Sequence, residues 1–216
     1  MHNEFNPISK SDCDSVEIQG VGLGAVKSIL PYTFSEYSKL TEIIIPKSVT
    51  EIGDGAFMYC SKLTTIVIQG PVKSIGVSAF NGCSELTTIV IPNSVTTIGK
   101  YAFYECKALI SVDFGDSDSS RLKKIEESAF HGCAKLTTIV IPKSVNTIGE
   151  SAFKGCSELE NITIEGSVTQ IPNFSFADCK VLQTITIPIS VKNIGFGAFS
   201  ECSELTKIII PDSVTT

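Results

Sequence analysis

The chain has 216 residues, 43% of them apolar, and a formal net charge of −6. It contains no run of Lys or Arg, so it lacks the concentrated positive charge that nucleic acids and anionic membranes attract, and we expect neither as a partner. No segment approaches about 18 continuous apolar residues, and the start shows no basic stretch followed by an apolar run. The sequence therefore predicts neither a membrane span nor a secretion signal.

One pattern recurs along nearly the whole chain. Residues 86–108 read LTTIVIPNSVTTIGKYAFYECKA, and close copies begin at leucines that are 23 residues apart, with one step of 27. These leucines are Leu40, Leu63, Leu86, Leu109, Leu136, Leu159, Leu182 and Leu205. A fixed period of this length predicts a solenoid of stacked coils, because a single coil buries too few apolar side chains to fold alone.

The domain organisation follows from the pattern. Residues 1–12 match nothing in the repeat, and we interpret them as a flexible start or a small cap. Residues 13–216 form one predicted solenoid of about eight and a half coils. The sequence stops midway through the last coil, so we expect either a fragment of a longer protein or an open edge that pairs with another chain.

Two coils are four residues longer than the others. The first begins at Cys13. Val16 and Ile18 occupy the same repeat positions as strand residues of later coils, and a loop with Gly20, Gly22 and Gly24 follows them. The second begins at Leu109 and carries its extra residues between positions 114 and 122. The order of long and short coils therefore occurs twice, which indicates that a block of four coils was duplicated.

Each coil divides into three parts. The L-x-x-I-x-I part alternates, is rich in β-branched residues and stops at Pro or Gly, so it predicts a short strand, and these strands should stack into one parallel sheet in a right-handed solenoid. The S-V-x-x-I-G part predicts a second, shorter strand whose serine fixes turn backbone and whose glycine provides positive φ or a tight corner. The A-F-x-x-C part predicts a single 3₁₀ or α turn.

Seven of the eight cysteines occupy one phase of the repeat. They are Cys60, Cys83, Cys106, Cys133, Cys156, Cys179 and Cys202. We interpret them as a ladder of buried free thiols behind the phenylalanines three positions earlier, although stacked coils are close enough for an occasional disulfide. The sequence contains no C-x-x-C motif, so the cysteines do not suggest a zinc site. If the ladder is inward, Cys106→Ser should be more harmful than Cys106→Ala, because the buried hydroxyl would have poor partners.

The full consensus, L-x-x-I-x-I-P-x-S-V-x-x-I-G-x-x-A-F-x-x-C, resembles the leucine-rich repeats of BspA-like proteins, many of which are described as surface antigens or adhesins. The resemblance covers residues 13–216. It implies a leucine-rich repeat solenoid that binds host, matrix or other cell-surface proteins, located at the cell surface or secreted. It carries over no catalytic residue and no cofactor. Because no signal peptide is visible, a cytoplasmic location is the alternative.

Enzymatic and metal sites find little support in the sequence. The histidines are His2 and His131, and the predicted inward positions are apolar, so no buried nucleophile and base can converge. Asp116 and Asp118 could hold calcium weakly, but the oxygen-rich loop pattern of a dedicated site is missing, which favours a solvated loop. We therefore expect a protein without catalytic activity.

The outward strand positions are the candidate binding residues. They form a β-branched, weakly polar stripe that we expect to contact a protein partner, and its members are Ile44, Val67, Val90, Val140, Thr163, Thr186, Thr65, Thr88 and Thr138. Exposed valines in a row are typical of an interface, since monomers seldom leave such patches uncovered.

Three alternatives to this interface remain open. Strand propensity alone could account for the β-branched stripe. Tyr59, Tyr101 and Tyr104 on the turns could anchor a partner or be scattered turn residues. The chain could also be a structural, self-associating segment of a longer repeat protein.

Overall fold

The structure is a computed structural model that describes residues 15–17, as backbone only, and residues 26–215. The predicted flexible start or cap at 1–12, Cys13, Ile18 and the loop with Gly20, Gly22 and Gly24 lie outside the described residues. Within them no segment is helical, and each coil before the last carries one longer and one two-residue strand. This confirms the predicted solenoid.

In chain order the strands of the described residues are β1 (Ser15–Glu17), β2 (Ser28–Ile29), β3 (Glu42–Ile45), β4 (Glu51–Ile52), β5 (Thr65–Ile68), β6 (Ser74–Ile75), β7 (Thr88–Val90), β8 (Thr97–Ile98), β9 (Ser111–Asp113), β10 (Lys124–Ile125), β11 (Thr138–Ile141), β12 (Thr147–Ile148), β13 (Asn161–Ile164), β14 (Gln170–Ile171), β15 (Thr184–Thr186), β16 (Asn193–Ile194) and β17 (Lys207–Ile209). The odd-numbered strands form the front side of the solenoid, and the even-numbered strands form a second side.

Every strand pairing is parallel and joins equivalent residues of consecutive coils. Val16 pairs with Ile43, which confirms the 27-residue step of the first coil, and Ile43 pairs with Ile66 one ordinary coil later. The front side is not one continuous sheet, however. Its hydrogen-bonded groups are β1-β3-β5, β7-β9 and β11-β13-β15-β17, so the prediction of a single sheet is wrong at two junctions.

The core is built of side-chain ladders that run the length of the solenoid. The repeat leucines from Leu40 to Leu182 are fully buried, and so are the cysteines from Cys60 to Cys179, while Cys202 is half-buried. The phenylalanine rings from Phe34 to Phe199 stack on one another with centroids 5.1–5.6 Å apart and planes within 10°. The inward phase predicted for both series is confirmed, and all seven repeat cysteines are free thiols.

Each cysteine also has a hydrogen-bond partner. The Sγ of Cys106 donates to the carbonyl oxygen of Phe80 in the preceding coil at 3.1 Å, and the equivalent distances along the ladder are 3.0–3.4 Å. The same Phe80 oxygen accepts from the backbone amide of Cys83 at 3.1 Å. The expectation of poor partners for a hydroxyl at Cys106 did not take this acceptor into account.

The A-F-x-x-C part is a series of β-turns. The amides of Ala56, Met58 and Cys60 donate to carbonyls three residues earlier, which is the spacing expected of a 3₁₀ turn. The amides between them donate to the next coil, with Gly55 and Tyr59 at φ of 58° and 59°. Positive φ at these positions prevents a helix, so the predicted single 3₁₀ or α turn is replaced by linked turns.

The glycines that end the second strands serve close packing of the coils. A Cβ on Gly99 would lie 2.8 Å from the carbonyl carbon of Gly76 and 2.9 Å from the Ile75 oxygen, closer than real Cβ atoms approach. Gly99 does not have positive φ. Of the two predicted reasons for glycine, the tight corner is the correct one. The predicted role of the repeat serine is also confirmed at Ser94, whose hydroxyl donates to the Val72 carbonyl at 2.7 Å.

Candidate partner-binding face

The front face consists of the outward side chains of the odd-numbered strands. Each strand directs its middle isoleucine or valine into the core and leaves the residues on both sides of it outward, because side chains alternate along a strand. Parallel pairing then places equivalent outward residues side by side. Val140 is in register with Thr163, and Thr186 is in register with Ile209.

The predicted binding residues lie on this face with different degrees of exposure. Val67, Val90 and Val140 are 41%, 60% and 48% exposed. Ile44 is half-buried, so it contributes less surface than its position in the sequence suggests. The threonines are all exposed, and they are Thr65, Thr88, Thr138, Thr163 and Thr186.

Asp113 divides the row of apolar residues. It pairs in register with Val90, and its Oδ1 accepts a hydrogen bond from the Gly115 amide at 2.7 Å. On the far side of Asp113, β9 and β11 are not joined in one hydrogen-bonded sheet, and a groove of about 330 Å³ lies between them. Its lining includes Ser111, Asp113, Phe114, Thr138 and Val140. The structure thus brings two of the predicted residues, Thr138 and Val140, into one concave site.

The four-residue insertion closes one end of this groove. The Ser117 hydroxyl donates to the Glu165 carboxylate and accepts from the Lys143 amide, and Lys143 Nζ lies 2.6 Å from Asp118 Oδ1. Asp118 raises the pKa of Lys143 through this contact. The Asp116 side chain accepts from the Asp118 amide at 3.2 Å. The loop suggested as a weak calcium site is therefore held by protein contacts.

Ile110 is a front-side residue that sequence reasoning missed. It is 47% exposed and directly precedes β9. The equivalent residues of the neighbouring coils are Thr87 and Thr137. An isoleucine in place of threonine was therefore the signal in the sequence that could have identified this position. Ile110 adds apolar surface beside the groove.

The tyrosines of the turns lie at another corner of the coil, where Tyr101 and Tyr104 pack edge to face. The Tyr101 hydroxyl donates to Glu127 at 2.9 Å, which raises the pKa of Tyr101, while Lys100 and Tyr101 together lower the pKa of Glu127. The Tyr104 ring lies 4.9 Å from His131, whose pKa is lowered by partial burial and by Lys154. Tyr59 is 51% exposed and covers Gly82. The structure does not bring these tyrosines into the front face.

Other kinds of site find no support in the described part of the chain. Residues 26–215 bring no three His, Cys, Asp or Glu side chains into an arrangement that could hold a metal ion. No described helix is long and apolar enough to cross a membrane. His131, predicted to be exposed, is half-buried and packs against the ring of Tyr104.

Comparison with known families decides the assignment. The model of the BspA type leucine-rich repeat region matches residues 9–120 and 117–216, with six copies of the repeat. The chain belongs to the BspA-type leucine-rich repeat family. No curated protein matches its sequence.

Solved structures of bacterial leucine-rich repeat proteins are similar to this BspA-type chain. A leucine-rich repeat protein from Bacteroides ovatus is 33% identical over 93% of the chain, with a TM-score of 0.70, and the chain spans 46% of that protein. A leucine-rich cell surface protein from Faecalibacterium prausnitzii is 27% identical over 94% of the chain and 83% of its own length, with a TM-score of 0.52. The pneumococcal vaccine antigen PcpA shares the fold at 22% identity, covering 96% of the chain and 63% of its own length, with a TM-score of 0.70.

Proposed function

We propose that this chain is a non-enzymatic protein-binding solenoid of the adhesin or surface-antigen type, and that it docks a protein partner through the front face. The observation that carries the proposal is the exposure of Val67, Val90 and Val140 on strands whose other side is fully packed. Exposed apolar side chains on a rigid support lose little conformational freedom on binding, and apolar anchors dominate the energetics of protein interfaces.

The groove beside Asp113 supports the same proposal. It offers a concave site with Val140 and Thr138 on one wall and Ser111 and Asp113 on the other. An apolar wall with a few fixed polar groups is the composition usual in recognition sites. A partner side chain that enters this groove would be held between the valine and a carboxylate whose position is fixed by Gly115.

The location of the protein is part of the proposal. A protein-binding solenoid of this family would act at the cell surface or after secretion, and the similar protein from F. prausnitzii is named a cell surface protein. A host, matrix or other cell-surface protein is the expected class of partner.

The test replaces the three exposed valines with lysine. The triple variant Val67→Lys, Val90→Lys, Val140→Lys should have nearly the same free energy of unfolding as the wild type, with a change within about 0.5 kcal/mol for each exposed site. Binding to immobilised extracellular-matrix proteins and to cultured cells should fall at least about tenfold, because charged residues at the centre of an interface are strongly disfavoured.

A matched control variant adds three lysines at exposed apolar positions away from the front face. Leu30→Lys, Val77→Lys and Ile189→Lys alter side chains that are 66%, 40% and 84% exposed and lie off the front face. This control should bind as the wild type does. Equal binding by wild type and front-face variant, or an equal loss in both variants, would reject the front face as the site.

The self-associating scaffold remains a prediction. Light scattering over a concentration series separates the two functions, because a binding module stays at one mass while a scaffold segment grows with concentration. If the mass increases with concentration equally in the wild type and the front-face variant, the scaffold function is favoured.

A further inference from the structure

The second side of the solenoid carries a row of lysines that are far apart in sequence. They directly precede or begin the even-numbered strands, all are exposed, and we call them the lysine ridge: Lys27, Lys73, Lys123, Lys124 and Lys192. Apart from the adjacent Lys123 and Lys124, successive members of the row are 46 to 68 residues apart in the sequence, so the linear sequence does not show that they lie together.

The backbone joins the ridge into one continuous line over its first part. The amide of Thr50 donates to the Lys27 carbonyl, Lys73 donates to Thr50, Thr96 donates to Lys73, and Lys123 donates to Thr96, at 2.8–2.9 Å. Lysine and threonine therefore alternate from coil to coil. With strands about 4.8 Å apart, Lys27, Lys73 and Lys123 emerge from the backbone at intervals of about 10 Å.

The charges of the ridge are available for a ligand. Lys62, Lys100, Lys107, Lys135 and Lys143 are each paired with a carboxylate, and none of these lysines belongs to the ridge. The acidic residue on the same strands is Glu51. The ridge is thus a positive strip on a chain whose net charge is −6.

Acidic residues lie on the turn side of the second strands. Asp54, Glu126, Glu127 and Glu150 follow these strands within two residues, and equivalent positions further along the linked turns carry Glu36, Glu105, Asp178 and Glu201. Their negative charge favours a ligand that lies along the second side and does not extend over the turns.

The residues between the lysines are suited to a hydroxyl-rich ligand. The hydroxyls of Thr50 and Thr96 donate to the Lys27 and Lys73 carbonyls at 3.1 Å, so their oxygens still have lone pairs that accept hydrogen bonds. Regularly spaced cations with neutral acceptors between them match a linear chain of sugars that carries anionic groups at intervals.

We infer that the lysine ridge binds a linear sulfated polysaccharide. Nucleic acid fits the ridge less well. Duplex DNA carries one charge per about 1.7 Å and would leave most of its phosphates opposite neutral residues or acidic corners. Single strands are bound through aromatic stacking platforms, and the ridge has no aromatic residue.

Heparin is the probe for the test, with the full 216-residue chain, isothermal titration calorimetry and a series of salt concentrations. The wild type should bind heparin at low salt, and affinity should fall as salt rises because the contacts are ionic. The ridge variant Lys73→Gln, Lys123→Gln, Lys124→Gln should bind on the order of 100-fold more weakly, at about fivefold per lysine near an anionic surface.

The control variant removes the same number of charges elsewhere. Lys62→Gln, Lys100→Gln and Lys135→Gln alter lysines that are already paired with Glu85, Glu127 and Glu158, and this variant should bind heparin as the wild type does. A second ridge variant, Lys27→Gln with Lys192→Gln, should show a smaller loss. Circular dichroism checks that each variant is folded.

Two further ligands separate the possible sources of binding. Desulfated heparin should not bind, and duplex DNA should bind more weakly than heparin. Absence of heparin binding at low salt, an equal loss in the ridge and control variants, or tighter binding of DNA would each overturn the inference.

Discussion

The two sides of the front strands differ in how strictly they repeat. The inward middle positions are aliphatic in every described coil from Ile43 to Ile208. The adjacent outward positions vary, and they read Ile44, Val67, Val90, Asp113, Val140, Thr163, Thr186 and Ile209. Packing of consecutive coils restricts the inward positions, whereas the outward positions have no such restriction. The ladders of the core therefore hold the fold, while the outward positions can vary without disturbing it.

The largest expected effect is the loss of one rung of the phenylalanine ladder. Phe103 is fully buried between Phe80 and Phe130, with ring centroids 5.3 and 5.1 Å away. Phe103→Ala should lower the free energy of unfolding by about 3–5 kcal/mol, because it removes buried surface and leaves a cavity between two coils. Urea denaturation measures the change.

The outward control for this substitution is Val90→Ala. Val90 is 60% exposed, so this variant should stay within about 0.5 kcal/mol of the wild type. A similar loss in both variants would contradict the division between inward ladders and an outward face.

Much of the core could be predicted from the sequence, because a period of 23 residues brings identical residues together in every coil. The inward leucines, phenylalanines and cysteines followed from their phase alone. The gap between β9 and β11 did not, because Asp113 and the four-residue insertion mark this coil as unusual in the sequence but do not show whether its strand pairs with the next one. Half-burial of Ile44 was also not predictable, because it depends on neighbouring side chains and not on the repeat.

The cysteine ladder predicts a loss of stability at alkaline pH. Burial raises the pKa of Cys156 from the ordinary 9.0 to about 12. Above pH 9 the unfolded chain releases the thiol proton while the folded chain retains it, so stability is complete below pH 9 and falls as pH rises towards 12. The slope is about 1.4 kcal/mol per pH unit for each such thiol.

Denaturation at a series of pH values tests this prediction. Cys156→Ala should reduce the decline by the contribution of one thiol, and Cys202→Ala should reduce it less, because Cys202 is only half-buried. A free energy of unfolding that stays constant above pH 9 would contradict the burial of the ladder.

The sequence predicted a tight corner at the repeat glycines but not what they pack against, and it did not show the lysine ridge, because both features depend on contacts between coils. Gly99 is required by the backbone of Gly76, which is 23 residues earlier. The lysine ridge is assembled from residues in different coils, so a search for adjacent charges in the sequence does not detect it. Distances between coils, not composition, decide both features.

A smaller effect is expected at Cys106. Because the Phe80 carbonyl accepts from Cys106 Sγ at 3.1 Å, Cys106→Ser retains a donor for this oxygen, whereas Cys106→Ala loses it. Both variants should be destabilised by about 1–2 kcal/mol, with serine no worse than alanine. Thermal denaturation of the two variants gives the order. A serine variant clearly less stable than the alanine variant would show that the hydrogen bond contributes little.

The most direct test of the inward assignment is thiol labelling followed by mass spectrometry. In the native protein at neutral pH, the six cysteines from Cys60 to Cys179 should resist the reagent because all six are buried. Burial also raises the pKa values of the five from Cys83 to Cys179, and buried thiols with raised pKa values react slowly. Cys202 should react faster than these six, and all seven should react fully after denaturation. Rapid native modification of most of the ladder would place those cysteines outside and contradict the inward phase of every coil.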